Sequence, residues 1–339
     1  MTEKQYGGAS SHGFKDKINE INKSNKIIIS SKENASDNEI PVSELSQESI
    51  EKLKKAGQIA KETIAYAKSF IKKNISLLEI AEKIESKIIE LGGKPAFPVN
   101  LSINEIAAHS TPGFNDSSLA RGLLKVDLGV HIDGFIADTA FSLDLENNEE
   151  NKKLIESAEN ALKKATELIS LDAKIRYVGA AIEKEIKSLG FQPISNLSGH
   201  SIEPYSLHAG ITIPNFDNSQ EKPIQSGVYA IEPFATNGLG SVRDGKLSGI
   251  YHLEKSGAVR DSFAREVLAF IKEEYNTLPF CSRWIYKKFS SRGLLSLRRL
   301  EEASLLHHYP QLIESGKGKV AQAENTIVLT NKEKIITNL

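Results

Sequence analysis

Residues 125–141 read Lys125-Val126-Asp127-Leu128-Gly129-Val130-His131-Ile132-Asp133-Gly134-Phe135-Ile136-Ala137-Asp138-Thr139-Ala140-Phe141. Asp133-Gly134 between two alternating apolar runs is a strong hairpin signal, because a two-residue loop needs positive φ, which Asp tolerates and Gly adopts freely. With these two residues as the loop, Asp127 faces Ala140, and Asp138 lies one diagonal step away on the same face of the sheet. Val126, Leu128 and Val130 point the other way, toward a core. Two carboxylates side by side in apolar strands are costly unless something compensates them. A divalent cation offsets both the repulsion and the lost hydration. The competing reading is that such acids cap turns in solvent. It suits Asp133, while the in-strand Asp127 and Asp138 are candidate metal ligands.

The chain has 339 residues, enough for a large core in one elaborated domain or in two. With 43 basic and 44 acidic residues, the charge balance gives no reason to invoke stable nucleic-acid or membrane binding. Cys281 is the one cysteine. It excludes an intrachain disulfide and any multi-cysteine zinc or iron–sulfur site, and it fits a reducing cytosol. No run approaches the roughly 18 apolar residues of a membrane span. The N-terminus also lacks an apolar secretory segment. The expectation is a cytoplasmic protein, with nothing in the sequence demanding an oligomer.

Residues 1–45 mix Gly, Ser, Asn and Lys around Ile27-Ile28-Ile29 and read as a flexible N-terminal extension. Residues 46–339 then form the main domain. Ser46 caps a helix at 47–72, with Ile50, Leu53, Ala56, Ile59, Ala60, Ile64 and Ala67 as its apolar stripe. Ser76 opens a second helix at 77–91, closed by Gly92-Gly93. A strand at 97–103, a loop and the hairpin follow. Helices at 149–169 and 175–189 precede further strands. Two helices followed by strands, twice over, suggest two related halves facing each other across a cleft. Residues 240–312 change character and read as an inserted helical subdomain, with helical segments near 261–275, 281–290 and 296–307. Strands at 318–330 and 333–338 close the chain.

Few acidic or imidazole residues sit in apolar, strand-like surroundings: Asp127, Asp138, His200, Glu232 and Glu324, with His109 and His208 in similar settings. Each alone reads as readily as a structural or exposed group. Together, four carboxylates and one imidazole make a ligand set for two hard or borderline divalent ions. Spacing alone does not establish that they converge. His12, His131, His252, His307 and His308 read as structural or surface groups. Asp144 and Asp244 read as turn residues, and Arg298-Arg299 as a solvated helix face.

The chain from about residue 48 to 339 resembles the type 2 methionine aminopeptidases of archaeal kind. The resemblance is carried by the 125–140 stretch, Gly199-His200-Ser201-Ile202, His208-Ala209-Gly210, Ala230-Ile231-Glu232-Pro233-Phe234-Ala235-Thr236 and Ala321-Gln322-Ala323-Glu324-Asn325-Thr326. It implies the α+β creatinase/aminopeptidase ("pita-bread") fold. That fold has two pseudo-symmetric halves with a curved antiparallel sheet and outer helices, here with a helical insertion. It also implies two divalent ions, drawn from Co, Mn, Fe, Zn or Ni. Asp127 would hold one ion, His200 and Glu232 the other, and Asp138 and Glu324 would bridge both. Glu232 would in addition move the proton, His208 would bind the scissile carbonyl, and His109 would lie near the scissile nitrogen. Phe97 and Leu207 would line the methionine pocket. The implied substrates are nascent polypeptides with an N-terminal methionine and a small second residue, with transient ribosome proximity. Ser110 and Asn325 depart from the resemblance, standing where an aromatic residue and a His are common. Two alternatives remain open: an Xaa-Pro-type aminopeptidase of the same fold, and a non-catalytic binding protein of that fold.

Overall fold

The computed structural model describes residues 45–338. The flexible extension expected at 1–45 falls, apart from Leu45, outside the described residues. Helix α1 is Gln47–Phe70, and the Ser46 side chain accepts the Ser49 N–H at its start. Helix α2 is Leu77–Glu90, capped by Ser76, and Gly92 ends it with φ +85. Both helices lie on one face of the hairpin formed by Leu123–Ile132 and Phe135–Asp144. Ala56, Ile59, Ile80, Ile84 and Ile88 pack there against Leu124, Val126, Leu128, Val130, Ala137 and Phe141. Strand alternation therefore turns Asp127 and Asp138 away from the helices.

The second half repeats this build. Helix α3 is Glu149–Leu168 and helix α4 is Ile175–Ser188. Leu154, Ala158, Val178, Ile182 and Ile186 pack against Tyr229, Ile231, Ala321, Ala323 and Ile327. The sheet beneath them runs, from edge to edge, Lys334–Ile336, Asn325–Leu329, Gly227–Ile231, Ser198–Ile202 and Thr212–Pro214. Every recorded pairing in it is antiparallel. The two halves are joined where Ala140 of the hairpin bridges to Glu324. The Glu324 N–H donates to the Ala140 carbonyl at 3.0 Å, and the Ala140 N–H returns the bond at 3.3 Å.

The segment 240–312, expected as a helical insertion, holds strands as well as helices. It contains helix α5, Ser262–Glu274, and helix α6, Ser282–Glu302. They are flanked by a long strand Val242–Leu253 paired with Leu306–Glu314. The expected segments at 281–290 and 296–307 are one helix interrupted at Ser290, whose φ is 54. The stretch from Leu306 is extended, not helical. Val242–Leu253 pairs with register shifts and is largely solvated on alternate stretches, so it carries no clean period-two signal. Likewise the loop expected after Asn104 contains the short strand Ile106–Ala108, paired with the 306–314 strand. Among the described residues no helix is long and apolar enough to cross a membrane.

Candidate metal centre and active site

The hairpin has the register read from its loop: Asp127 faces Ala140 and Gly129 faces Asp138. His200 faces Ala230 on the neighbouring strand. Glu232 follows the end of that strand, and Glu324 sits in the break between Val320–Gln322 and Asn325–Leu329. These side chains converge. One ligand atom each from Asp138, His200 and Glu324 lie within 4.8 Å of one another. His200 Nε2 is 3.7 Å from Asp138 Oδ2 and 3.7 Å from Glu232 Oε1. Asp127 joins them through Gln322, whose Nε2 lies 3.4 Å from Asp127 Oδ2, 3.5 Å from Glu232 Oε2 and 3.4 Å from Glu324 Oε2.

The donor set fits a metal. Asp127 Oδ1 and Asp138 Oδ1 are buried without a hydrogen-bond partner, an expensive arrangement unless a cation faces them. Burial pushes the Asp127 carboxyl up to about 7. Burial, and then neighbouring carboxylates, raise Asp138, Glu232 and Glu324 well above the usual carboxylate range. Burial lowers His200 to about 3, so its imidazole is neutral and free to ligate. The cluster Asp138, His200 and Glu324 is thus a site for a divalent cation.

His208 stands beside the cluster, its ring centroid 4.4 Å from that of His200, and burial lowers its pKa. His109 adopts φ 56, and its ring meets Tyr309 edge-on at 5.1 Å. Burial, and then His208, lower His109 to about 4. Phe97 and Leu207 belong to one apolar cluster with Ile202, Val228 and Leu278. The five acidic and imidazole residues expected as ligands are thus brought together, with His208 beside His200, His109 near His208, and Phe97 packed on Gly129 opposite Asp138.

Three residues escaped the sequence reading. Gln322 touches three of the four carboxylates. Its place two residues before Glu324, on the same strand face, is the signal that could have found it. Tyr309 lies against His109, and His252, read as structural or surface, lies 5.1 Å from Tyr309. Nothing in their local sequence marks either one. Of the two departures, Ser110 Oγ accepts from Gln311 Nε2 at 3.0 Å. Asn325 Oδ1 accepts from Asn338 at 2.5 Å, and Asn338 also donates to Thr139 at 2.8 Å. His131 is structural, its Nδ1 accepting the Gly134 N–H at 3.1 Å.

A candidate metal site held between two helix-backed antiparallel sheets is the arrangement of a metallopeptidase. The model of metallopeptidase family M24 matches residues 51–331, and the chain belongs to that family. It is homologous to archaeal methionine aminopeptidases. The enzyme of Pyrococcus abyssi is 48% identical over 293 residues, spanning 85% of this chain and 99% of the relative. That of Methanocaldococcus jannaschii is 44% identical, spanning 86% and 98%. Solved structures share the fold. The methionine aminopeptidase of Thermotoga maritima superposes with a TM-score of 0.63 at 20% identity, covering 86% of this chain and 97% of that one. A thermophilic Arx1 gives 0.75 at 13% identity, covering 86% and 91%.

Proposed function

We propose that the chain is a type 2 methionyl aminopeptidase that removes the N-terminal methionine from nascent polypeptides whose second residue is small. The observation that carries this reading is the convergence of Asp127, Asp138, His200, Glu232 and Glu324 beside two neutral imidazoles and an apolar cluster. Asp127 would hold one divalent ion, and His200 and Glu232 a second, with Asp138 and Glu324 shared between them. Bound ions of this kind supply an activated water and polarise the carbonyl under attack.

The chain's own groups do the rest. Glu232 accepts a proton as attack proceeds and returns it to the leaving nitrogen, a contribution of about 10²–10⁴-fold in comparable enzymes. His208, kept neutral by its lowered pKa, offers an N–H to the oxygen on which negative charge grows. His109 orients the scissile nitrogen. Phe97 and Leu207 enclose the unbranched thioether side chain, which suits an apolar wall. The second residue is selected by exclusion at the mouth of the cleft, near Ser110. The balanced charge, at −1, gives no reason to invoke stable nucleic-acid binding, and we read the chain as a cytoplasmic monomer that meets nascent chains near the ribosome. Neither alternative raised by the sequence gains a specific observation.

The test is methionine release from Met-Gly-type and Met-Leu-type peptides, with chelator and with added Mn²⁺. Chelator-sensitive release restored by metal and confined to small second residues is expected. Release independent of divalent metal, or preference for Xaa-Pro bonds, overturns the reading.

A further inference from the structure

We propose that the buried Arg283–Glu85 ion pair is a positioning device that sets Phe97 and His109 relative to the metal centre. This inference rests on the aminopeptidase reading above. Arg283 is the second residue of α6 and is fully buried. Its Nη1 and Nη2 donate to the two oxygens of Glu85 on α2, at 2.7 and 2.8 Å. Its Nε donates to the Pro112 carbonyl at 3.1 Å, and Nη2 reaches Thr111 Oγ1 at 3.4 Å. Glu85 also accepts from Trp284 Nε1 at 2.9 Å and from the Val99 N–H at 3.3 Å. Thr111 Oγ1 closes the network by donating to the Val99 carbonyl at 2.9 Å.

The segments gathered here are those that no ladder holds. Residues 97–99 and 109–112 belong to no helix or strand. Val99 follows Phe97 by two positions and Thr111 follows His109 by two, so both functional side chains hang from backbone tied to one ion pair. A buried ion pair is a weak source of stability, since apolar replacements are often as stable. What a bidentate guanidinium–carboxylate pair supplies is fixed distance and angle. His109 makes that useful. Its φ of 56 is strained for a residue with a side chain and persists only where its surroundings over-determine it. The Leu101 N–H bound to the Ser110 carbonyl at 2.6 Å and the network just beyond supply that constraint. An insertion helix thereby reaches the site without contributing a side chain to it.

Arg283→Lys keeps the charge and loses the fork, while Thr111→Val removes one hydroxyl and no charge. In full-length protein stripped of metal, Mn²⁺ affinity by calorimetry should stay within about twofold of the parent. In the same variants kcat/KM for Met-Ala-Ser should fall roughly 10- to 100-fold for Arg283→Lys and less for Thr111→Val. Added guanidinium ion should restore part of the activity of Arg283→Ala. If Arg283→Ala fails to fold, Thr111→Val carries the test. Unchanged kcat/KM in Arg283→Lys and Thr111→Val, or a loss that only tracks metal affinity or folded fraction, overturns the proposal. If the parent itself releases no methionine, the aminopeptidase reading falls instead. The positioning is then read in metal-free protein from the His109 Cε1–H resonance. It should move in Thr111→Val while that of His131 stays, and an unmoved His109 signal overturns the proposal.

Discussion

Gly129 and Phe97 lie in direct contact: a Cβ on Gly129 would sit 2.4 Å from Phe97 Cε1 and 2.9 Å from Ala96 Cβ. The missing side chain lets the ring rest on the strand that carries Asp127, directly opposite Asp138. The proposed methionine wall and the metal-binding hairpin are therefore one packed unit. Gly129→Ala must push the ring or the strand aside, at a cost of about 1–3 kcal/mol for overpacking. Urea unfolding should report that loss, and KM for Met-Ala-Ser should rise. An unchanged KM would show that Phe97 does not line the pocket.

Metal uptake should release protons. In the metal-free protein Asp127 is pushed up to about 7 by burial, and burial with neighbouring carboxylates also raises Asp138, Glu232 and Glu324 well above the usual carboxylate range. Ligation needs their ionised forms. Calorimetry near neutral pH in buffers of different ionisation enthalpy should show net proton release, and its absence would mean the acids are already ionised. The sign for stability follows. A carboxyl raised in the fold holds protons that the unfolded chain sheds, so chelated protein gains stability from these groups as pH falls below about 7. His109 and His131, lowered to about 4 by burial, act oppositely and lose stability as pH falls from about 6.5 toward 4. The melting-temperature gap between Mn²⁺-loaded and chelated protein should therefore widen from about pH 5 to 8.

Gln322 substitutions should separate holding the acids apart from holding a metal. Gln322→Leu removes a donor within 3.5 Å of three carboxylates and should lower metal-free stability by about 1–3 kcal/mol. Gln322→Glu adds another acid to the cluster and should depend more heavily on metal. Its melting temperature should rise further than the parent's on adding Mn²⁺. Equal shifts in the two proteins would show that Gln322 does not sense the charge of the cluster.

The imidazoles should divide by role. His200→Ala should abolish tight metal binding. His208→Ala should keep Mn²⁺ affinity within about threefold and lower kcat by roughly 10²–10³, the usual loss for an oxyanion donor. His109→Asn should also lower kcat. It should leave the pH of the acid limb in place, because His109 is neutral down to about pH 4. A loss of metal by His208→Ala would move that residue into the ligand set.

Legibility in the sequence followed how locally each feature is determined. The hairpin register was readable because Asp133-Gly134 leaves little choice of loop, and alternation then assigns a face to every residue down to Asp127 and Asp138. The paired helices were readable because Ser46 and Ser76 start them and their stripes meet the sheet. Convergence of His200, Glu232 and Glu324 was not readable, because their meeting depends on pairings between separate strands, His200 with Ala230 and Ile231 with Asn325, that no local pattern announces. The strand Leu306–Glu314 was missed because its partner Val242–Leu253 is bulged, and its own pattern, with Pro310 inside it, follows neither period. Tyr309 and His252 were invisible as site residues for the same reason: only that distant pairing brings them to His109.

The bridge between Ala140 and Glu324 has one more implication. A residue whose backbone ties the two lobes together and whose carboxylate belongs to the metal cluster couples the seam to the site, so loosening one should loosen the other.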